Sequence, residues 1–171
     1  MSGVPREVLR APHPVLSTAA ELVDPTDPFV VSAAADLLTT LREIGKPSGL
    51  SAPQIGLSWR LIAVNASLHP RSRSSAGALT LVNPRLAEAS DWRHGREGCF
   101  SVPGLLGEVP RAARITVYGE LPRTGESITI QADAFEARCI QHQLDHLDGL
   151  LFLDRVSGAR ALHHRSHSCY A

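Results

Sequence analysis

The chain has few cysteines, few aromatic side chains and almost no lysine. Its 171 residues include three cysteines, and sixteen arginines accompany a single lysine, Lys46. Three cysteines in a chain of this length do not suggest a disulfide framework, so the composition favours a reducing compartment. Acidic and basic residues balance to a formal net charge of zero. No general attraction to nucleic acid or to an anionic membrane is therefore expected.

Long apolar runs are also missing. No stretch approaches the roughly 18–20 apolar residues of a membrane span. The N-terminal residues lack the apolar segment and the small-residue cleavage site of a secretory signal. The sequence therefore predicts a cytoplasmic protein without membrane association. With 43% apolar and 20% charged residues, the chain is predicted to fold as a single domain over residues 1–171.

Two segments have the spacing of helices, one early and one late in the chain. Asp27 and Pro28 provide an N-cap and a first helical position, and Gly45 ends the apolar stripe that follows. The late helix is predicted over "FEARCIQHQLDHLDG", which Gly149 closes. Strands are expected between them, so the fold class is α+β.

The remaining segments are predicted from β-branched alternation and from turn residues. Strands are expected in residues 59–67 and in the segment 79–90, where the Asn-Pro turn signal ends the strand. Residues 113–121 and 126–135 are predicted to form a hairpin. Residues 45–56 are predicted as an irregular loop, 68–78 as an exposed connection and 157–171 as a loose tail. The tail contains His163, His164, His167 and Cys169. Short His-rich tracts do bind metal, but an exposed chain end is the simpler interpretation.

The late helix contains a histidine pair. His142 and His146 are four residues apart, which places both rings on one face of a helix in a good geometry for two metal ligands. In the related H-E-x-x-H pattern, a glutamate follows the first histidine and moves protons. Here Gln143 follows it, and glutamine has no titratable group. The pair alone fits a partly buried helix with two hydrogen-bonded histidines equally well.

Two other segments contain candidate partners for this pair. Cys99 lies in "REGCFSVPG", where flanking glycines would let a substrate approach the backbone. A Cys, His, His set would bind a divalent transition metal and leave a position for water, although a free cysteine is usually a small buried hydrophobe. Gln54 in "GLSAPQIG" could donate its amide to a developing oxyanion, although a glutamine in a loop is more often solvated.

In chain order, "GLSAPQIG", "EGCFSVPG" and "QHQLDHLDG" resemble the three signature motifs of the peptide deformylase family. The segments "LVNPRL", "VPRAARITV" and "GLLFLDRVS" extend the resemblance to roughly residues 6–157. The resemblance implies an α+β fold with antiparallel sheets around a central helix that bears both histidines. It also implies a hydrolase that removes the formyl group from N-formylmethionyl peptides or nascent chains and releases formate.

The resemblance further implies a role for individual residues. Cys99, His142 and His146 would bind the metal, with iron(II) expected first and zinc, nickel or cobalt as alternatives. Gln54 and the backbone amide of Phe100 would stabilise the oxyanion. The substrate site would comprise Gly49 and Gly98, which pair with the peptide backbone as an added strand does, and Ser48, Phe135 and Cys139 around the methionine side chain.

The main departure from the family is Gln143, where the family has a glutamate. The substitution is nearly isosteric, so fold and metal site should survive, but a positioned acid/base is worth roughly 10²–10⁴ in rate. Glu97, Asp145 and Asp148 are interpreted as structural rather than as replacement bases. The chain is thus expected to be a slow or re-tuned deformylase. The alternatives are a metal-binding pseudoenzyme and a substrate-trapping variant, both of which bind formyl or acyl peptides without efficient turnover.

Lesser departures affect the substrate side. Pro47 and Ser48 stand where the family has glycine and an apolar residue, and Ser51 replaces a small alanine. These residues predict an altered or relaxed preference in the methionine pocket. They also favour natural divergence over a deliberate substitution at position 143.

Overall fold

A computed structural model of the chain describes residues 3–46, 48–67, 69–73 and 75–165. Within these residues, six strands form one antiparallel sheet in the order β1-β2-β3-β4-β5, and β6 pairs with β4. The elements are α1 (Pro28–Ile44), β1 (Ser48–Ser51), β2 (Leu61–Asn65), β3 (Leu79–Cys99), β4 (Val102–Glu120), β5 (Ser127–Asp133), α2 (Ala134–Leu147) and β6 (Leu162–His164). The predicted α+β class and its antiparallel sheet around a helix are confirmed.

The early helix has the predicted ends. The Asp27 carboxylate accepts a hydrogen bond of 2.8 Å from the backbone amide of Phe29, and Pro28 occupies the first turn, where its missing N–H costs nothing. Gly45 ends α1 in the left-handed region at φ 70°. α1 therefore begins and ends where the sequence indicates.

Strand β2 separates the two helices, because its alternate residues face opposite sides. Leu61 and Ala63 belong to the core that α1 covers, whereas Ile62 and Val64 belong to the core that α2 covers. A strand buried on both faces appears as a continuous apolar run. This burial fixes α2 against the sheet, and with it the two histidines.

The loop predicted over residues 45–56 is wrong. Ser48–Ser51 forms β1, which pairs with β2 in the register Gly49 to Val64, and a 3-10 turn follows at Ala52–Ile55. All four residues of β1 are buried, so the segment shows no polar alternation that would reveal a strand. Pro47 lies outside the described residues.

The strand predicted to end at the Asn-Pro signal continues to Cys99. The pairing of β3 with β4 shifts register between Val82 and Arg85, and Asn83 within this shift has a positive φ of 50°. Its side chain accepts from the backbone amide of Val23 at 3.1 Å and donates to the Val23 carbonyl at 2.8 Å. The turn signal thus marks a bulge, because the ladder resumes after it. The predicted hairpin of the next two strands is confirmed as β4 and β5.

The loose tail predicted from residue 157 is wrong for the described part. β6 pairs with Leu105–Gly107 of β4, and Arg165 donates its backbone amide to the Gly104 carbonyl at 3.0 Å. Leu162 packs beside a small core that includes Phe152. His167 and Cys169 lie outside the described residues, so the idea of a tail metal site stays untested. No described helix is long and apolar enough to span a membrane.

Candidate active site

The three candidate metal ligands meet at the end of β3. Cys99, His142 and His146 are all buried, and their donor atoms lie within 4.8 Å of one another. The Sγ atom of Cys99 is 3.2 Å from Nε2 of His146. α2 supplies both histidines from successive turns of one face, and the last residue of β3 supplies the cysteine. Cys99 and His142, which are 43 positions apart in the chain, are thereby brought into one cluster.

A buried ionic network holds His142 in place. Glu97 accepts from Nδ1 of His142 at 2.9 Å, which leaves Nε2 of that ring for the cluster. Arg111 donates to both oxygens of Glu97, at 2.8 and 3.0 Å, and also to Asp145 at 2.6 Å. Arg138 adds a bond of 2.9 Å to Glu97. The histidine orientation is therefore set by strands β3 and β4 as well as by its own helix.

The network shifts the pKa values of its members. Burial raises the pKa of Glu97, but hydrogen bonds from His142 and Arg111 outweigh it and hold that pKa well below its usual range. Burial also raises the pKa of Cys99, yet the charge of His146 and hydrogen bonds from both histidines bring it well below the ordinary thiol value. For His142, bonds to Cys99 and Glu97 outweigh burial and raise the pKa to about 10. Cys99 is thus poised as a thiolate, the form that binds metals.

These donors fit a divalent transition metal. One thiolate and two imidazoles are borderline-soft ligands, and three protein ligands leave an open position. His142 has the carboxylate partner on its second nitrogen that metal-binding histidines commonly have. Asp145, which the sequence assigned to structural support, accepts from Arg155 at 2.7 Å as well as from Arg111.

The side chain of Gln54 has a fixed orientation beside the cluster. Its Oε1 accepts from the backbone amide of Ser51 at 3.1 Å and from the hydroxyl of Ser51 at 3.3 Å. Its Nε2 donates to Ser101 at 3.1 Å and lies 3.7 Å from Sγ of Cys99. Gln54 is 1% exposed, so the alternative of a solvated loop glutamine does not hold. The amide group instead presents its donor toward the cysteine.

Gln143 lies between the two histidines in sequence and against β1 in space. It is 3% exposed, and its Oε1 has no hydrogen-bond partner among the residues of the described ranges. A Cβ on Gly49 would lie 2.8 Å from Cγ of Gln143, so only glycine leaves room for this side chain. A buried amide oxygen without a protein partner is costly, which points to a ligand or solvent group as its partner.

One cavity of about 40 Å³ lies at the candidate site. Its lining comprises Ser48, Gly49, Gln54, Arg96, Glu97, Gly98, Cys99, Phe100, Phe135, Arg138, Cys139, His142 and Gln143. Every site residue predicted from the sequence except His146 lines it, and His146 adjoins it through Cys99. Burial raises the pKa of Cys139, so this wall of the cavity carries a neutral thiol.

Sequence reasoning missed four polar residues of this site. Arg111 and Arg138 neutralise Glu97, Ser101 fixes Gln54, and Arg96 lines the cavity rim. The one available indication was Arg111, because it lies in the family-like segment "VPRAARITV". The others occupy positions that sequence periodicity does not distinguish from surface residues.

Comparison with known proteins agrees with this geometry. A profile described as polypeptide deformylase matches residues 5–161. The chain belongs to the peptide deformylase family. The peptide deformylase of Thermomicrobium roseum is 37% identical over 158 residues, which cover 92% of this chain and 89% of the relative. That of Symbiobacterium thermophilum is 36% identical over 156 residues, 90% of this chain and 68% of the relative.

Solved peptide deformylases share the fold. The K3U-bound class I type b peptide deformylase from Acinetobacter baumannii has a TM-score of 0.81 and 31% identity, covering 90% of this chain and 99% of that one. The same enzyme bound to Met-Ala-Ser has a TM-score of 0.79 and 31% identity, with 91% and 100% coverage. The chain is therefore an amidohydrolase of the deformylase type, in a metal-dependent family, and contains a Cys, His, His cluster.

Proposed function

We propose that this deformylase removes the formyl group from N-formylated peptides at a rate that Gln143 slows. The observation that supports the proposal best is the cluster of Cys99, His142 and His146 with the Gln54 amide 3.7 Å from the cysteine sulfur. The three candidate ligands and the candidate oxyanion donor would thus act at one cavity, which Cys99, His142 and Gln54 line. What the site lacks is a titratable base between the two histidines, where the family has a glutamate and this chain has Gln143.

The three ligands would hold iron(II), with zinc, nickel or cobalt as alternatives. A divalent metal at this position would act as a Lewis acid and make water a competent nucleophile at neutral pH. Glu97 fixes His142 so that one defined nitrogen faces the metal position. The low pKa of Cys99 keeps the third ligand deprotonated without a separate base.

The formyl oxygen would be stabilised by the carboxamide of Gln54 and by the backbone amide of Phe100. Both Ser51 bonds to Oε1 of Gln54 hold the amide so that its nitrogen lies on the side of Cys99 and Ser101, where the formyl oxygen would have to bind. A donor that is fixed before the reaction costs no reorganisation when charge develops. This part of the catalytic machinery does not depend on residue 143.

Proton transfer is the step that we expect to be impaired. The carboxamide of Gln143 accepts hydrogen bonds but takes up no proton at neutral pH. Glu97 and Asp145 are engaged in buried ion pairs with arginines, and the lowered pKa of Glu97 makes it a poor base. Neither is available to replace the missing glutamate, so protons would have to be exchanged with solvent.

A pseudoenzyme that retains formyl peptides is the second candidate. Oε1 of Gln143 is buried and lacks a partner within the described part of the chain. The N–H group of an intact formamide is a donor that this oxygen could accept. A substrate held in this way would be bound and not cleaved, which is what a substrate-trapping side chain does.

The peptide backbone would lie between β1 and the end of β3, paired with Gly49 and Gly98 as an added strand. Phe135 and Cys139 would receive the first side chain. We propose that this pocket has a relaxed preference, because Ser48 and the guanidinium of Arg138 add polar groups to its wall. N-formylmethionine of a nascent chain remains the expected substrate. That the chain is a single domain and acts in the cytoplasm also remains a prediction.

The test is formate release by protein loaded with iron under anaerobic conditions. Release from a formylmethionyl tripeptide is expected at a slow rate, and a formylglutaminyl peptide of equal length tests the relaxed pocket. Cys99→Ala should abolish both metal binding and release, while Cys139→Ala, which removes a partly buried thiol of the same cavity, should keep the metal. Failure of the unaltered chain to bind any divalent metal would overturn the assignment.

A further inference from the structure

The geometry points to Arg165 as a substrate-binding residue that recognises a carboxylate downstream of the formylated residue. This inference rests on the proposed function, because it assumes that the peptide lies along Gly98. It concerns the C-terminal strand, which the sequence motifs do not include. A Cβ on Gly98 would lie 3.3 Å from Nη1 of Arg165 and 3.7 Å from its Cζ. The guanidinium therefore lies beside the backbone that precedes Cys99.

Strand β6 fixes the position of this arginine. His163 and Leu162 pair with Leu106 and Gly107 of β4, and Arg165 continues the ladder through its amide bond of 3.0 Å to Gly104. The arginine follows a strand anchored by backbone bonds, so its side chain starts from a defined point. It reaches past Leu106, whose Cδ2 is the other near neighbour of Gly98 at 3.0 Å from the added Cβ.

Charge at this rim favours an anion. Arg96 lines the cavity and approaches Glu108 at only 3.8 Å, with 62% and 46% of the two side chains exposed. His163 approaches the same carboxylate at 3.7 Å. Arg96, two residues before Gly98, therefore adds a second cation on this side of the site, and the Glu108 carboxylate that it approaches is shared with His163.

The guanidinium group of Arg165 favours a carboxylate as its ligand. A planar guanidinium matches a carboxylate through paired hydrogen bonds, and does so better than it matches a single carbonyl. A peptide strand that starts at the metal cluster and passes Gly98 would bring its next residues to Arg165. The carboxylate is then the C-terminus of a short formylated peptide or an acidic side chain near its start.

The test compares three peptides on metal-loaded protein: formyl-Met-Ala, its C-terminal amide, and formyl-Met-Ala-Asp amide. Equilibrium affinity is measured rather than turnover, because the ratio between acid and amide does not depend on the proton-transfer step that Gln143 impairs. We expect the free carboxylate to be bound about 5-fold more tightly than the amide, the scale of a partly exposed ion pair, and this ratio to fall with added salt. The Asp peptide shows whether a side-chain carboxylate serves as well.

Arg165→Leu should bring the ratio to about one while the affinity for the amide changes less than roughly twofold. Arg160→Leu removes an equal charge from the exposed turn before β6 and should keep the ratio. If Arg165→Leu loosens β6, Arg165→Gln retains a donor on a shorter side chain and should still lose the salt-sensitive preference. A ratio that survives both Arg165 variants overturns the inference, and so does equal binding of acid and amide by the unaltered chain. If the unaltered chain binds none of the peptides, the proposed function fails and this inference with it.

Discussion

At the scale of single residues, the site consists of groups whose charge is set by their neighbours. Glu97 is the clearest case, because one carboxylate receives bonds from His142, Arg111 and Arg138 while 3% exposed. A charge buried this deeply is stable only when every lone pair has a partner. The same argument explains why Glu97 supports the ligand His142 and does not act as a base.

The residue-scale prediction concerns Glu97→Gln. The change removes the charge that orients His142, so metal affinity should fall by roughly 10–100-fold. It also leaves the buried positive charges of Arg111 and Arg138 without the negative charge of Glu97, which should lower the free energy of unfolding by about 3–5 kcal/mol. Metal titration and urea denaturation of the metal-free protein measure the two effects.

Glu108→Gln is the matched control, since it makes the same change on a side chain of which 46% is exposed. This control should leave both the metal affinity and the free energy of unfolding nearly unchanged. Unchanged metal affinity in Glu97→Gln would show that His142 is positioned by its helix alone.

At the scale of elements, the sequence predicted those that have clear end signals. α1 has an N-cap at Asp27 and a closing glycine, α2 has an apolar stripe that Gly149 closes, and the β4–β5 hairpin has a Gly-containing turn. β1 was missed because four buried residues show no alternation, and β3 was cut short because Asn83 absorbs a turn signal within a bulge. β6 was missed because its ladder bonds are to Leu105–Gly107, about 57 residues earlier in the chain. Motif order located the ligands and Gln54, whereas the partners of Glu97 required the fold.

The element-scale prediction is a test of β1 through Gly49→Ala. The new Cβ would meet Cγ of Gln143 at 2.8 Å and the Ala63 carbonyl at 3.1 Å, so strand and helix must separate. A displacement of the order of 1 Å costs roughly 100-fold when it misplaces a substrate. We expect formate release to fall by about this factor while metal content stays constant.

Gly77→Ala provides the control for the loss of a glycine, since its Cβ would meet nothing within 4 Å. Its positive φ of 77° predicts some loss of stability and no loss of formate release. Equal activity of Gly49→Ala and the unaltered chain would exclude β1 from the substrate site.

At the scale of the whole molecule, the fold brings three distant segments to one cavity. β1 with its 3-10 turn supplies Gly49 and Gln54, the end of β3 supplies Cys99, and α2 supplies both histidines. The described residues resemble the family motifs at the three candidate ligands and at Gln54, and they depart from those motifs at Gln143, Ser48 and Ser51. The central claim is therefore that the site is assembled and lacks only an efficient proton acceptor.

Gln143→Glu tests this claim most directly. Formate release from a formylmethionyl peptide is compared between this variant and the unaltered chain, both loaded with iron under anaerobic conditions. We expect kcat to rise by roughly 10²–10⁴, the worth of a positioned acid/base, with metal content unchanged. Equal rates in the two proteins at equal metal content would contradict it, because the missing carboxylate would then not limit the reaction.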